Sequence, residues 1–163
     1  MIGPGRVSAL GHGSGSSMNI DSPHFGKLEF ELDQVLEFPE GLLGFPNLTR
    51  FLRFGPKDFA PIEFLLPLAE PKLRFPVLSP YLVRTEYDLP LSEAERHALG
   101  LAENGSLTVF CVANLTHRVE DATVNLLAPI LINPDNRRGR QVVLEASGYS
   151  VTEPLFAGEL HPA

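Results

Sequence analysis

The chain has 163 residues, one cysteine (Cys111), 15 prolines, 14 glycines and a formal net charge of −7. That length fits one domain. A single cysteine excludes an intrachain disulfide and argues against a cysteine-built metal site. The acidic balance argues against nucleic acid as the main partner, because such binding rests on neutralising phosphates with Lys and Arg.

In chain order, residues 1–17 come first and read MIGPGRVSALGHGSGSS, with five glycines and four serines. Gly/Ser-rich chain behaves as flexible coil, and Met18 looks like a second start. Residues 1–17 are therefore read as a disordered expression leader and linker, and 18–163 as a single β domain. The apolar stretch at 7–10 is too short for a signal peptide. Setting the leader aside removes Arg6 and no acid, so the domain carries −8.

Residues 26–32 (GKLEFEL) alternate, with Leu28, Phe30 and Leu32 on one face and charges on the other. Period two predicts a half-buried strand. Short apolar runs follow at 35–38 and 42–45, split by the turn signal Pro39-Glu40-Gly41. Residues 50–54 alternate less cleanly, and 62–66 form a compact apolar run. Residues 73–78 form another, interrupted by Pro76, which suggests an edge or a bulge.

One helix is predicted, over about 92–99. Ser92 and Glu95 make a capping-box pattern, Leu91 can staple the start, and Gly100 ends the element. Eight residues do not form a stable helix alone, so this one should pack on the sheet. Asn104-Gly105 is a turn. The strand signal then returns at 106–113, 123–127 and 129–132, with a polar loop at 133–139 and a partner strand at 141–146. Residues 151–163 are expected to fray. Short strands, frequent turns and one helix predict a mainly β fold: a small antiparallel β-barrel or sandwich-like barrel.

Catalytic patterns are sparse. No histidine sits i, i+4 from another, and His117 near Glu120 and Asp121 reads as a loop histidine beside solvated acids. Cys111 lies in the apolar run Val109-Phe110-Cys111-Val112 and reads as a core hydrophobe. The glycines at 11, 13 and 15 lack a preceding strand and a P-loop lysine. No G-x-S-x-G elbow occurs. Arg137, Arg138 and Arg140 form the densest basic cluster, placed in the predicted hairpin loop, with no aromatic there to stack a base. These residues read as a binding module without a visible active site, metal site or cofactor site. A hydrolase or metal enzyme assembled from scattered residues is the rival reading; a deep pocket of titratable groups with shifted pKa values would support it.

Four segments together resemble the flagellar assembly factor FliW family. Residues Phe38-Pro39-Glu40-Gly41-Leu42-Leu43-Gly44-Phe45 resemble its F-x-x-G-L-x-G-F signature. Thr123-Val124-Asn125-Leu126-Leu127-Ala128-Pro129-Ile130 is similar to its T-x-N-L-x-A-P-I stretch. Asn133 and Gln141-Val142-Val143-Leu144 follow in order, ahead of a terminal tyrosine, here Tyr149. The resemblance runs from about Gly26 to Tyr149. One departure is Leu65-Leu66-Pro67-Leu68-Ala69, where family members carry a leucine-glutamine-serine-like segment.

The resemblance implies a non-enzymatic cytoplasmic protein with no cofactor and no small-molecule substrate. It implies two partners taken in turn: flagellin before export, and CsrA, a small RNA-binding translational repressor. Capture of CsrA would relieve repression of flagellin synthesis, and the family favours a site remote from the RNA surface. A β-barrel module that binds protein or nucleic acid without the switch is the alternative. The motif residues Phe38, Gly41, Gly44, Phe45, Asn125, Pro129, Asn133 and Gln141 read mainly as scaffold. Charge and position single out Glu70, Glu120 and Asp121 as partner contacts, with Asn125 as an orienting group.

Overall fold

The structure is a computed structural model, and it describes residues 7–9 and 17–156. Twelve strands run in chain order. They are β1 (Val7–Ala9), β2 (Ser17–Ser22), β3 (Gly26–Glu31), β4 (Val35–Glu37), β5 (Arg50–Phe54) and β6 (Glu63–Pro67). After β7 (Phe75–Leu78) comes the helix α1 (Glu93–Ala98), then β8 (Thr108–Asn114), β9 (Thr123–Val124), β10 (Ile130–Asn133), β11 (Arg138–Gln141) and β12 (Glu153–Pro154). Seven of them close a barrel in the order β10-β11-β4-β5-β6-β7-β8, with β8 pairing back onto β10. All barrel ladders are antiparallel except the single pairing of Arg138 with Glu37 between β11 and β4. The expected mainly β barrel with one short helix is the observed fold.

Side-chain alternation explains why the chain closes this way. Leu36, Phe38, Phe51, Leu65, Val77, Phe110, Ile130 and Ile132 fill the barrel interior. The alternate residues Val35, Leu52, Phe64 and Leu66 face outward, where Ile20 and Phe30 of the β1-β2-β3 sheet cover them. On the other flank Leu78, Cys111, Ala113 and Leu131 face out and are covered by Tyr87, Leu99, Leu126 and Leu155. Strands buried on both faces read as continuous apolar runs, which is why 62–66 shows no alternation. Burying each such side chain contributes about 1.5–3 kcal/mol, so the two covers are integral to the domain.

The helix begins as predicted. Ser92 Oγ accepts from the Glu95 N–H, and the Glu95 side chain returns to the Ser92 N–H. Its C-terminal carbonyls are received by the β10–β11 hairpin. Asn133 Nδ2 donates to Leu99 O at 2.9 Å and Gly100 O at 3.2 Å, and Asn136 Nδ2 donates to Leu99 O at 2.9 Å. Arg138 Nη1 reaches Ala98 O at 3.2 Å, a cation at the negative end of the helix.

Several expectations shift. The last barrel strand is Arg138–Gln141, not 141–146, because a tight turn with Arg137 at φ 60° starts it three residues early. Arg138 and Arg140 therefore lie on a strand rather than in a loop. The 123–127 strand stops at Val124, where Asn125 turns the chain. Pro76 is not on an edge strand; β7 pairs on both sides, but its ladder to β8 begins only at Val77, so the missing N–H falls beyond it. The segment 151–156 does not fray: Glu153–Pro154 pairs with β9 and Leu155 is buried. Of the predicted leader, residues 1–6 and 10–16 lie outside the described residues. Val7–Ala9 pairs antiparallel with β2, whose ladder with β3 already starts at Ser17. Residues 157–163 also lie outside the described residues.

Candidate functional site

The strand registers bring one set of loops to one end of the barrel. Glu37, Arg50, Phe75 and Gln141 mark that end on β4, β5, β7 and β11. Residues 39–49, 68–74 and 115–129 connect strands there. The family-like segments are far apart in sequence but meet at this end.

The loop 39–49 is a compact turn. Leu42 and Phe45 exchange backbone hydrogen bonds at 3.2 and 2.7 Å, and Gly41 N–H bonds to Phe38 O at 2.8 Å. Gly41 sits at φ +69°, and a Cβ there would run into Phe45 O and Pro46 Cα. Only glycine fits both demands. Below it the Phe38 ring fills the barrel end against Gly139, where a Cβ would overlap the ring. The turn pushes Leu43 outward to 53% exposure, and leaves Phe45 38% exposed with its ring edge-to-face on Phe75 at 5.1 Å. Phe45 is thus half surface, where the sequence predicted scaffold.

Gln141 ties the segments together. Its Oε1 accepts from Leu43 N–H at 2.8 Å, and its Nε2 donates to Ala128 O at 2.9 Å. Asn125 shapes the other side: its Oδ1 accepts from Leu127 and Ala128 N–H, both at 3.1 Å, ahead of the buried Pro129. Arg140 Nη1 pairs with Glu40 at 2.9 Å, closing a small cleft of about 220 Å³ between the turn and β11.

The proposed contact acids are placed as follows. Glu70 is exposed in the 68–74 turn. Glu120 and Asp121 are exposed in a 3-10 turn and lie 3.9 and 3.7 Å from Arg118. All three connect strands at the same end as the 39–49 turn. Asn125 has its side-chain oxygen committed to its own turn. Asn133 is buried at the opposite end, under the helix terminus, and is not part of this surface. Sequence reading missed the outward Leu43 and the Glu40–Arg140 pair. Nothing local announces either: Leu42 and Leu43 both lie between Gly41 and Gly44, yet Leu42 is buried and Leu43 exposed.

The opposite end holds a second cleft, of about 400 Å³, beside Arg53, Glu63, Tyr81 and Thr108. Arg53 and Glu63 form a two-point ion pair at 2.7 and 3.2 Å, with the guanidinium 4.9 Å from the Phe110 ring centre. Shifted titrations occur elsewhere, in the packed flank. Burial pushes the Cys111 thiol up to about 12, with the neighbouring Tyr87 hydroxyl opposing the shift. Burial also raises Tyr87 strongly, and its hydroxyl donates to Leu126 O at 2.6 Å. Neither group lines a cleft described above. Among the described residues no group of three His, Cys, Asp or Glu side chains could hold a metal ion, and no helix is long and apolar enough to cross a membrane.

Comparison with known proteins agrees with this geometry. The family model described as FliW protein matches residues 19–155. The flagellar assembly factor FliW of Thermotoga neapolitana is 36% identical over 137 residues, covering 83% of this chain and 92% of that one. That of Natranaerobius thermophilus is 34% identical over 140 residues, covering 85% and 93%. A crystal structure of the flagellar assembly factor FliW superposes with a TM-score of 0.79 at 25% identity, covering 85% of this chain and 96% of that one. The match spans the closed barrel, the motif turn and the Asn125–Gln141 end, and the chain belongs to the FliW family.

Proposed function

We propose that this protein is a non-enzymatic flagellar assembly factor of the cytoplasm that holds flagellin and, by switching partners, captures the repressor CsrA. The observation that carries the reading is family membership across the whole described barrel, with relatives named for flagellar assembly. The motif end supplies a surface suited to protein rather than to a small substrate. Leu43 and Phe45 stand out on a turn held by Gln141 and Gly41, and Glu40, Glu70, Glu120 and Asp121 lie on the connections around that end. Rigid apolar groups ringed by charge are the composition of a protein interface, with the apolar part at its centre. The acidic body complements a basic RNA-binding partner and speeds encounter. Asn125 contributes by fixing the 125–129 turn.

The test is size-exclusion chromatography of the purified protein with flagellin and with CsrA from the same host at moderate salt. Each should form a stoichiometric complex, and added flagellin should displace CsrA. Binding of flagellin alone would reduce the function to holding flagellin. Binding of neither would reject the reading.

A further inference from the structure

The outer edge of β2 is a surface the reading above does not use. β3 pairs with one side of β2 over its whole length, from Ser17 opposite Glu31 to Ser22 opposite Gly26. On the other side, among the described residues, β1 pairs over three positions: Val7 opposite Ile20, Ser8 opposite Asn19 and Ala9 opposite Met18. This added strand precedes residue 19, where the family match begins. The edge of the shared domain is therefore filled by chain from outside it.

Asn19 sits at the centre of that short ladder. It is fully buried, and neither its Oδ1 nor its Nδ2 has a hydrogen-bond partner among the described residues. Its neighbours need nothing further, since Ile20 is buried in the cluster against the barrel and Met18 packs on it. A buried amide without partners is costly, so a strand that supplies them is favoured over one that does not. The residue directly across an antiparallel ladder is the one placed to do so. Ser8 holds that position here.

We propose that the outer edge of β2 is a strand-addition site, filled in cis by Val7–Ala9 and suited to an extended protein segment with Asn or Gln opposite Asn19. Backbone pairing supplies the affinity and the amide pair supplies the selectivity. Small or β-branched residues opposite Met18 and Ile20 complete the segment, as Ala9 and Val7 do here. The cis strand competes with any partner because its tether keeps its local concentration high.

Amide hydrogen exchange of the full-length protein, resolved by residue, tests this. In a Val7→Pro/Ala9→Pro variant, edge-facing amides in 18–20 should exchange about tenfold faster, while β3 amides at Leu28 and Phe30 hold their rate. A synthetic peptide spanning residues 4–12 with Ser8→Asn should restore protection in that variant. It should bind about tenfold more tightly than the unsubstituted peptide. In the full chain, Ser8→Asn alone should slow exchange at the same amides, and this arm decides the matter should the proline variant fail to fold. Unchanged exchange in either variant, or equal binding of the two peptides, would overturn the proposal.

Discussion

Gln141 is a single side chain with two bonds to two distant segments, and its loss should be felt at both. Gln141→Ala leaves Leu43 N–H and Ala128 C=O without their partner, a cost of about 1–3 kcal/mol. Urea unfolding should show that loss, and exchange at the Leu43 amide should accelerate. An unchanged Leu43 amide would mean that the turn holds itself. Gly41→Ala meets both the positive φ and the Phe45–Pro46 backbone, and should cost at least about 2 kcal/mol in the same assay. Cys111 predicts a pH dependence. Its thiol titrates near 9.0 when unfolded and is pushed up to about 12 when folded. The unfolded chain therefore loses its proton first, and stability falls as pH rises from about 9 toward 12. Cys111→Ala should flatten that slope when urea midpoints are compared across the range; Tyr87, raised in the same sense, leaves a residual slope.

At the scale of elements, the helix and the β10–β11 hairpin stabilise each other. The capping box at Ser92 was legible because its residues are three apart and act locally. The C-terminal closure was not, because its donors Asn133, Asn136 and Arg138 come from a hairpin more than 30 residues further on. Asn133→Ala removes the donor to two helix-end carbonyls and the acceptor for the Asp135 N–H, and should lower stability by about 1–3 kcal/mol. Ser92→Ala should cost about 1 kcal/mol. Thermal unfolding that ranks Ser92→Ala as the costlier change would show that the helix is held from its start rather than its end. The three-residue shift of the last barrel strand has a similar origin. The apolar letters of 141–146 suggested a strand, and Val142 and Leu144 do bond to Pro129 and Leu127 carbonyls. The barrel ladder itself, however, is set by the turn at 134–137.

For the whole molecule, charge and topology act together. The connections at one end carry Glu40, Glu70, Glu120 and Asp121; Glu40 is paired with Arg140, and Glu120 and Asp121 lie beside Arg118, so the field that steers a basic partner comes from the net charge of −7 over the whole chain, to which these acids contribute. Replacing Glu70, Glu120 and Asp121 by lysine should slow the proposed association with CsrA by about tenfold at low salt, with the difference shrinking as salt rises. Surface plasmon resonance across a salt series would measure it. An effect confined to dissociation would place these acids inside the contact rather than around it.

The strand periods, the helix and its cap, and the lack of a catalytic pattern around candidate residues were legible in the order of residues. Those features depend on neighbours two to four positions away, which the order of residues displays directly. It also marked Phe38, Gly41, Asn125 and Gln141 as belonging together, through their resemblance to one family. Where they meet follows from the closed barrel. Closure of β8 onto β10 wraps the chain so that 39–49, 125–129 and Gln141 share one end while Asn133 goes to the other. It also decided that Leu43 faces out, that Arg140 pairs with Glu40, and that Asn19 lies buried with no side-chain partner among the described residues. Each of these depends on strand register and on packing between segments distant in sequence. A one-residue slip in register reverses every face, and no local pattern encodes it.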